Sequence, residues 1–256
     1  MEGVLKNNIK LILLGTGVCV PTPKRCQSSY FVQTAENVFI FDMGEGALHR
    51  MAQVGIDIFE IDAVFFSHMH VDHNSDFIPF LFSLNVHPKR KRKKDLAVIG
   101  PYGLKSWING LSDLYGDYMI PNDFKLIIKE VKDSAFFIGE DKIISLSVKH
   151  CENAVGYRIE TNNKIFAYSG DSGYCENLVK LGENADIYLM ECSYPNARKE
   201  THLDLESVKE IIYNTNCRKA VLTHIYPQYE DFDFESYLSD FEGRFVIAND
   251  LMEFLV

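Results

Sequence analysis

Residues 67–73 read Ser67-His68-Met69-His70-Val71-Asp72-His73. Three imidazoles and a carboxylate packed this closely cannot all turn into an apolar core, because each would lose its hydration without a partner. They are metal-ligand types. The apolar run Ile61–Ser67 before them reads as a strand, which puts the cluster on a loop at a sheet edge. Side chains alternate on leaving a strand, so His68 and His70 face one way and share an ion, while Asp72 and His73 turn onward to a second. Imidazole mixed with carboxylate suits zinc best, with manganese or iron also accommodated.

Three more ligand types sit just past expected strands. His150 follows Lys142–Lys149, Asp171 follows Lys164–Ser169, and His224 follows Ala220–Thr223. Each arrives at the same kind of edge. His68, His70 and His150 would hold the first ion, Asp72, His73 and His224 the second, and Asp171 would bridge them. Two divalent ions less Asp72, Asp171 and a bridging hydroxide leave roughly one net positive charge, which favours an anionic substrate. A pair of ions about 3.5–4 Å apart can clamp a phosphodiester while the hydroxide between them attacks phosphorus. Asp72 thus counts as catalytic as well as a ligand. Asp42 is expected to stand behind the ligands and orient an imidazole. Gly15, Gly17, Gly44 and Gly46 are expected to allow tight turns nearby. His49 and His87 have no motif around them.

The elements that must carry these residues alternate between strand and helix patterns. Strands are expected at Ile9–Leu14, Ser29–Thr34, Val38–Phe41, Ile61–Ser67, Leu96–Ile99, Lys125–Val131, Ser134–Ile138, Lys142–Lys149, Val155–Glu160, Lys164–Ser169, Asp186–Met190 and Ala220–Thr223. Helices are expected at Gly44–Val54, Phe77–Val86, Gly103–Tyr115 and Asp204–Thr215, the last capped by Asp204, and the tail should add one helix and one strand. This order fits an α/β four-layer αββα sandwich, two sheets face to face with helices outside, as a single domain over residues 1–256.

Composition narrows the class. The 256 residues are 46% apolar and 24% charged, with a net charge of −10, so the chain is not coated in nucleic acid as a whole. One basic run, Lys89-Arg90-Lys91-Arg92-Lys93-Lys94, could track a nucleic-acid backbone or be a solvated mobile loop. The six cysteines are scattered without a CxxC pair, which suggests reduced thiols rather than a zinc knuckle or a disulfide framework. Lys6 and Lys10 ahead of Leu11–Leu14 imitate a short leader, but Gly15-Thr16-Gly17 ends the run and no small-residue cleavage site follows. A buried first strand and a cytoplasmic protein are expected.

The HxHxDH pattern with its later partners resembles the metallo-β-lactamase superfamily. Within it the chain is similar to ribonuclease Z and its near relatives. The similarity lies in Gly15-Thr16-Gly17 with Val20-Pro21-Thr22 and Lys24-Arg25, Phe41-Asp42-Met43-Gly44-Glu45-Gly46, His150 with Gly156-Tyr157-Arg158, Ser169-Gly170-Asp171, and Leu222-Thr223-His224. It runs from about Lys10 to Glu230. The resemblance implies a homodimer acting on phosphodiesters, either RNA or a small or cyclic compound. It also implies that His202, in Thr201-His202-Leu203, contacts the phosphate and protonates the leaving group with Glu191 as its partner. Hydrolysis needs such a donor because an alkoxide leaves poorly.

Two departures bear on substrate. The ribonuclease Z family inserts a long arm that grips precursor transfer RNA between the Gly-Tyr-Arg and Ser-Gly-Asp segments; here only Ile159–Tyr168 lies between them. That family also has His-Glu-Ala where this chain has Met190-Glu191-Cys192. Both count against transfer RNA processing and leave the hydrolytic chemistry in place. A bridging aspartate where a cysteine ligand would stand separates the chain from the antibiotic-hydrolysing branch. A thioester or lactone hydrolase of the same fold is the main alternative, but such enzymes place Pro-Gly before the third histidine, and here Val148-Lys149 precedes His150. A flavodiiron-type oxidoreductase would carry Glu at the position of His70. A non-catalytic metal-binding module would have lost ligands, and all seven are present.

Overall fold

Period-two alternation decides which layer each strand side chain enters. The computed structural model describes residues 8–256, so Lys6 of the leader-like pattern lies outside them. In chain order the elements are β1 (Lys10–Gly15), β2 (Ser29–Gln33), β3 (Val38–Met43), α1 (Ala47–Gln53), β4 (Ala63–Phe65), α2 (Phe77–Val86), β5 (Leu96–Gly100), α3 (Leu104–Tyr115), β6 (Leu126–Glu130), β7 (Ser134–Ile138) and β8 (Asp141–Ser147). They continue with β9 (Val155–Thr161), β10 (Lys164–Tyr168), α4 (Glu176–Gly182), β11 (Ile187–Glu191), α5 (Leu205–Thr215), β12 (Ala220–Thr223), α6 (Phe234–Tyr237), β13 (Phe245–Ile247) and β14 (Glu253–Leu255).

One sheet has the order β14-β1-β2-β3-β4-β5-β6 and the other β13-β12-β11-β10-β9-β8-β7. Leu11, Leu13, Phe39 and Phe41 of the first sheet pack with Tyr157, Phe166, Leu189 and Val221 of the second, forming the core between the sheets. The alternate residues Ile12, Leu14 and Ile40 face away and meet Met51, Phe77, Phe80 and Leu104 from α1 to α3. Tyr188, Met190 and Leu222 likewise meet Leu178, Leu181, Val208 and Ile212 from α4 and α5. Both faces of each sheet are thus covered, giving the expected four layers αββα.

The β9–β10 hairpin turns at Asn162 and Asn163, both with positive φ (47° and 61°), as a two-residue turn between twisted strands requires. Asp204 caps α5, its carboxylate accepting from Ser207 N at 2.8 Å. Three expectations are corrected. β4 is only Ala63–Phe65, because the Ser67 N–H is taken by Asp42 instead of by a neighbouring strand. α4 has seven residues and buries only Leu178, Leu181 and Gly182, too few for helical spacing to show in the sequence. The tail holds two strands, not one: β13 runs parallel to β12, and β14 pairs antiparallel with β1 at the far end of the other sheet.

Register brings the site together. β3 and β4 run parallel, as do β10, β11 and β12, while β8 and β10 flank β9 antiparallel and so share a direction. Asp42, His68, His150, Asp171, Glu191 and His224 therefore leave the same edge. The two sheets are clasped there by Val155 N donating to Ser67 O at 2.9 Å and Tyr157 OH donating to Phe66 O at 2.7 Å.

Candidate functional site

All seven expected ligands converge at this edge, in two groups. His68 Nε2 and His150 Nε2 lie 2.9 and 3.1 Å from His70 Nδ1. Asp72, His73 and His224 form a second, buried group. Asp171 stands between them: its Oδ2 is 3.9 Å from His68 Nε2, 3.8 Å from His150 Nε2 and 3.4 Å from His224 Nε2, and its Oδ1 is 3.5 Å from His73 Nε2.

The protons of these rings can be assigned from their outer partners. Ser67 Oγ donates to Asp42 Oδ2 (2.7 Å), so it must accept from His68 Nδ1 (3.0 Å). His73 Nδ1 donates to Asp42 Oδ2 (2.8 Å), and His150 Nδ1 donates to the Thr201 carbonyl (3.0 Å). Ser193 Oγ donates to Glu191 Oε2 (2.5 Å), so it accepts from His224 Nδ1 (2.8 Å). Every one of these rings then turns a bare Nε2 lone pair inward. His73 Nε2 and His224 Nε2 are buried with no hydrogen-bond partner among the described residues. Buried polar atoms are almost always satisfied, so two orphans side by side ask for a cation. The spacing agrees: the edge of a tetrahedron with metal–nitrogen distances of about 2.0–2.1 Å is about 3.3 Å, close to the separations around His70. These residues fit divalent metal binding.

The electrostatics point the same way. Burial, helped by the neighbouring His73 charge, holds the His68 imidazolium well below its ordinary range, and burial also lowers His150. Both are thereby favoured as neutral imidazoles. Burial alone would lower His73 too, but the carboxylates of Asp171 and Asp42 overrule it and hold it well above the ordinary value. The carboxylates thus require positive charge at His73 Nε2, from a proton or a metal. Burial would raise Asp171, yet His224 and His73 keep it well below the carboxylate range.

Asp42 is more than a strand-end turn residue. It is fully buried and accepts from Ser67 N (2.8 Å), Ser67 Oγ, His73 Nδ1 and Tyr168 OH (2.6 Å). Its φ of 54°, like the 58° of His224, is a strained backbone value held in place by these bonds. Ser67, Ser193 and the Thr201 carbonyl hold the ring tautomers, and nothing in the sequence marks them for that role. Of the four glycines, only Gly46 has positive φ. Gly44 is needed for close approach, since a Cβ there would fall 2.2 Å from the Asp72 carbonyl oxygen.

His202 lies beside both groups with its ring 4.8 Å from that of His150, and its Nδ1 donates to Glu191 Oε1 at 2.8 Å. Burial disfavours its charged form, but the Glu191 bond outweighs this and raises it. The ligands floor a cleft of about 470 Å³ whose rim is Cys19, Gln27, Val71 and Tyr226. Asp250 pins the rim segment by accepting from Thr16 N (3.0 Å) and Cys26 N (2.8 Å). A hollow of about 520 Å³ at Glu235–Ile247 is lined by none of these residues.

Most of the cations of the basic run are engaged within the chain. Arg92 is buried, its guanidinium donating to the carbonyls of Phe59 (2.8 Å), Ile61 (2.7 Å), Lys94 (2.6 Å) and Asp95 (2.9 Å). Arg90 pairs with Asp57, Lys91 and Lys93 with Asp123, and Lys94 with Asp62. His87 Nδ1 accepts from Arg90 N at 3.0 Å, a structural role.

A family model described as "Anti-Pycsar protein Apyc1" matches residues 9–246. Ribonuclease Z of Bacillus licheniformis is 25% identical over 281 residues, covering 87% of this chain and 90% of that protein. Ribonuclease Z of Pyrococcus horikoshii is 26% identical, covering 86% and 87%. Among solved structures, the metallo-β-lactamase fold protein YhfI from Bacillus subtilis superposes with a TM-score of 0.85 at 21% identity, covering 98% of this chain and all of that one. The short form of human tRNase Z gives 0.78 at 19% identity, covering 96% and 98%.

Proposed function

Because this chain belongs to the anti-Pycsar protein Apyc1 family, within the ribonuclease Z-like branch of the metallo-β-lactamase fold, we propose that it is a metal-dependent hydrolase of small or cyclic phosphodiesters. The observation that carries this reading is the inward convergence of ligand lone pairs, with two buried Nε2 atoms unpartnered, around the Asp171 carboxylate. The ribonuclease Z relatives, by their name, cleave RNA, whose backbone is a phosphodiester.

His68, His70 and His150 would hold one ion and Asp72, His73 and His224 the other, with Asp171 shared. Two divalent ions held there, zinc by donor type, would supply positive charge toward the phosphate and would acidify a water. The remaining work falls to the chain. Asp42, Ser67, Ser193 and Thr201 fix the imidazole tautomers. His202, held by Glu191, keeps a proton at the cleft wall for the departing oxygen.

The small-substrate reading rests on the two-residue turn at Asn162-Asn163, which stands where the resembling family inserts its RNA-binding arm. We also read the chain as a cytoplasmic homodimer. Phe82 and Val86 of α2, Leu114 of α3, and Tyr118 and Ile120 just beyond it are all at least 42% exposed, and the Phe82 and Tyr118 rings lie 5.5 Å apart. An apolar ridge of this kind suits a self-contact. A side-by-side assay of the metal-loaded protein on cyclic nucleotides, bis(p-nitrophenyl) phosphate and precursor transfer RNA tests the function; no hydrolysis of any of them would reject it.

A further inference from the structure

β13 is the end strand of its sheet and pairs on one side only. Its parallel ladder to β12 uses every second residue. Ala220 N donates to the Arg244 carbonyl at 2.7 Å, and Ala248 N donates to the Leu222 carbonyl at 2.8 Å. Arg244, Val246 and Ala248 therefore turn their backbone groups towards β12, and Phe245 and Ile247 turn theirs outwards. Those outward N–H and C=O groups have no hydrogen bond among the described residues. Folded proteins blunt an open edge of this kind with a lysine, a proline or a bulge. Phe245-Val246-Ile247 carries no charge and no proline, and its register with β12 is unbroken. The edge is thus a ready template for one more strand.

The surroundings say which strand. The hollow of about 520 Å³ lies along this edge, lined by all three strand residues and by Glu235, Ser239, Glu242 and Gly243. The carboxylates of Glu235 and Glu242 make no ion pair among the described residues. The stretch Glu230–Glu242 holds six acidic residues and no lysine or arginine. A second copy of the chain, pairing through the same edge, would bring an identical acidic rim against this one, with a net charge of −10 on each chain. Like charges facing each other across a strand pair are destabilising, so charge opposes self-pairing and favours a strand that carries cations.

We propose that β13 is a docking edge for an extended, basic segment of another protein, which adds to the sheet as a further strand. The outward backbone groups of Phe245 and Ile247 would bond its main chain, the hollow would take one of its side chains, and Glu235 and Glu242 would face its lysines or arginines. This surface is independent of the hydrolytic reading. The probe is a capped, fluorescein-labelled decapeptide of alternating lysine and valine, titrated into the full chain and followed by anisotropy. It should bind saturably. A copy N-methylated at every residue keeps the charge but cannot pair as a strand, and it should not bind. Glu235→Lys with Glu242→Lys should weaken binding by about tenfold. Phe245→Pro removes an N–H that faces outwards, so it costs the sheet no bond and should still abolish binding. No saturable binding of the lysine peptide up to about 1 mM overturns the proposal. Equal binding of the N-methylated copy, or unchanged binding after the double charge reversal, also overturns it. Self-association of the wild-type chain that Phe245→Pro abolishes would make a second copy the occupant and overturn the basic partner. Should Phe245→Pro fail to fold, the two peptides compared on the wild-type chain still decide.

Discussion

Glu191 and His202 are joined by a 2.8 Å hydrogen bond from Nδ1 to Oε1, and the other oxygen of the same buried carboxylate accepts from Ser193, which contacts His224. One carboxylate thereby ties the proposed proton donor to a ligand imidazole. The bond favours the charged ring, which is why His202 is raised above its ordinary 6.5 in spite of burial.

His202→Ala should keep its metal and lose turnover by about 10²–10⁴. A general acid works only while protonated, so activity should fall as pH rises through the His202 pKa. Glu191→Gln removes the anion that raises it, and the alkaline limb of the kcat/KM profile should move to lower pH. An unmoved limb, or loss of metal from His202→Ala, contradicts these roles.

Metal-reconstituted protein should hold about two divalent ions per chain by elemental analysis. Asp171→Ala should lower that number and abolish most activity. Asp42→Asn tolerates the positive φ but removes the charge behind His73, and should weaken metal affinity by about 10–100-fold. Full metal affinity in Asp42→Asn would show that the outer bonds do not matter.

The convergence of the seven proposed ligands on one edge was legible because metal-binding side chains have few uses and these stand just past strands. The tautomer-setting hydroxyls were not. Ser67 and Ser193 are ordinary residues until Asp42 and Glu191 arrive from distant strands. The internal partners of the basic run were hidden for a related reason. The partners of Arg92 are the backbone carbonyls of Phe59 and Ile61, which have no signature in sequence. Only one of the two tail strands was expected, because β13 and β14 have three residues each and carry little pattern, and β14 pairs with β1 at the other end of the chain.

Arg92→Ala should therefore destabilise the fold by about 2–4 kcal/mol, since it strands several carbonyls that the guanidinium now satisfies. Neutralising exposed Lys89, Lys91 and Lys93 together should change stability by only about 0.5 kcal/mol. Chemical denaturation checks both. Equal effects from the two variants would mean that Arg92 has no special structural role.

Leu114→Glu with Tyr118→Glu places charge on the apolar ridge and should convert a dimer to a monomer in sedimentation equilibrium. The wild-type protein sedimenting as a monomer at micromolar concentration would remove the dimer proposal.

Precursor transfer RNA should be a poor substrate relative to small diesters. Holding a folded RNA requires contacts far from the scissile bond, because those contacts supply the energy that positions it. The resembling family makes them with an inserted arm, and here β9 and β10 are joined by Asn162-Asn163 alone. The basic run is a weak substitute. Arg92 is buried, and Arg90, Lys91, Lys93 and Lys94 are paired with carboxylates, so their charge toward an incoming backbone is largely offset. Replacing Lys89, Lys91 and Lys93 with Gln should leave small-diester cleavage in place at both low and high salt. If the wild-type protein cleaves precursor transfer RNA efficiently at low salt and this triple variant does not, the run is an RNA-binding surface after all, and the small-substrate reading must give way.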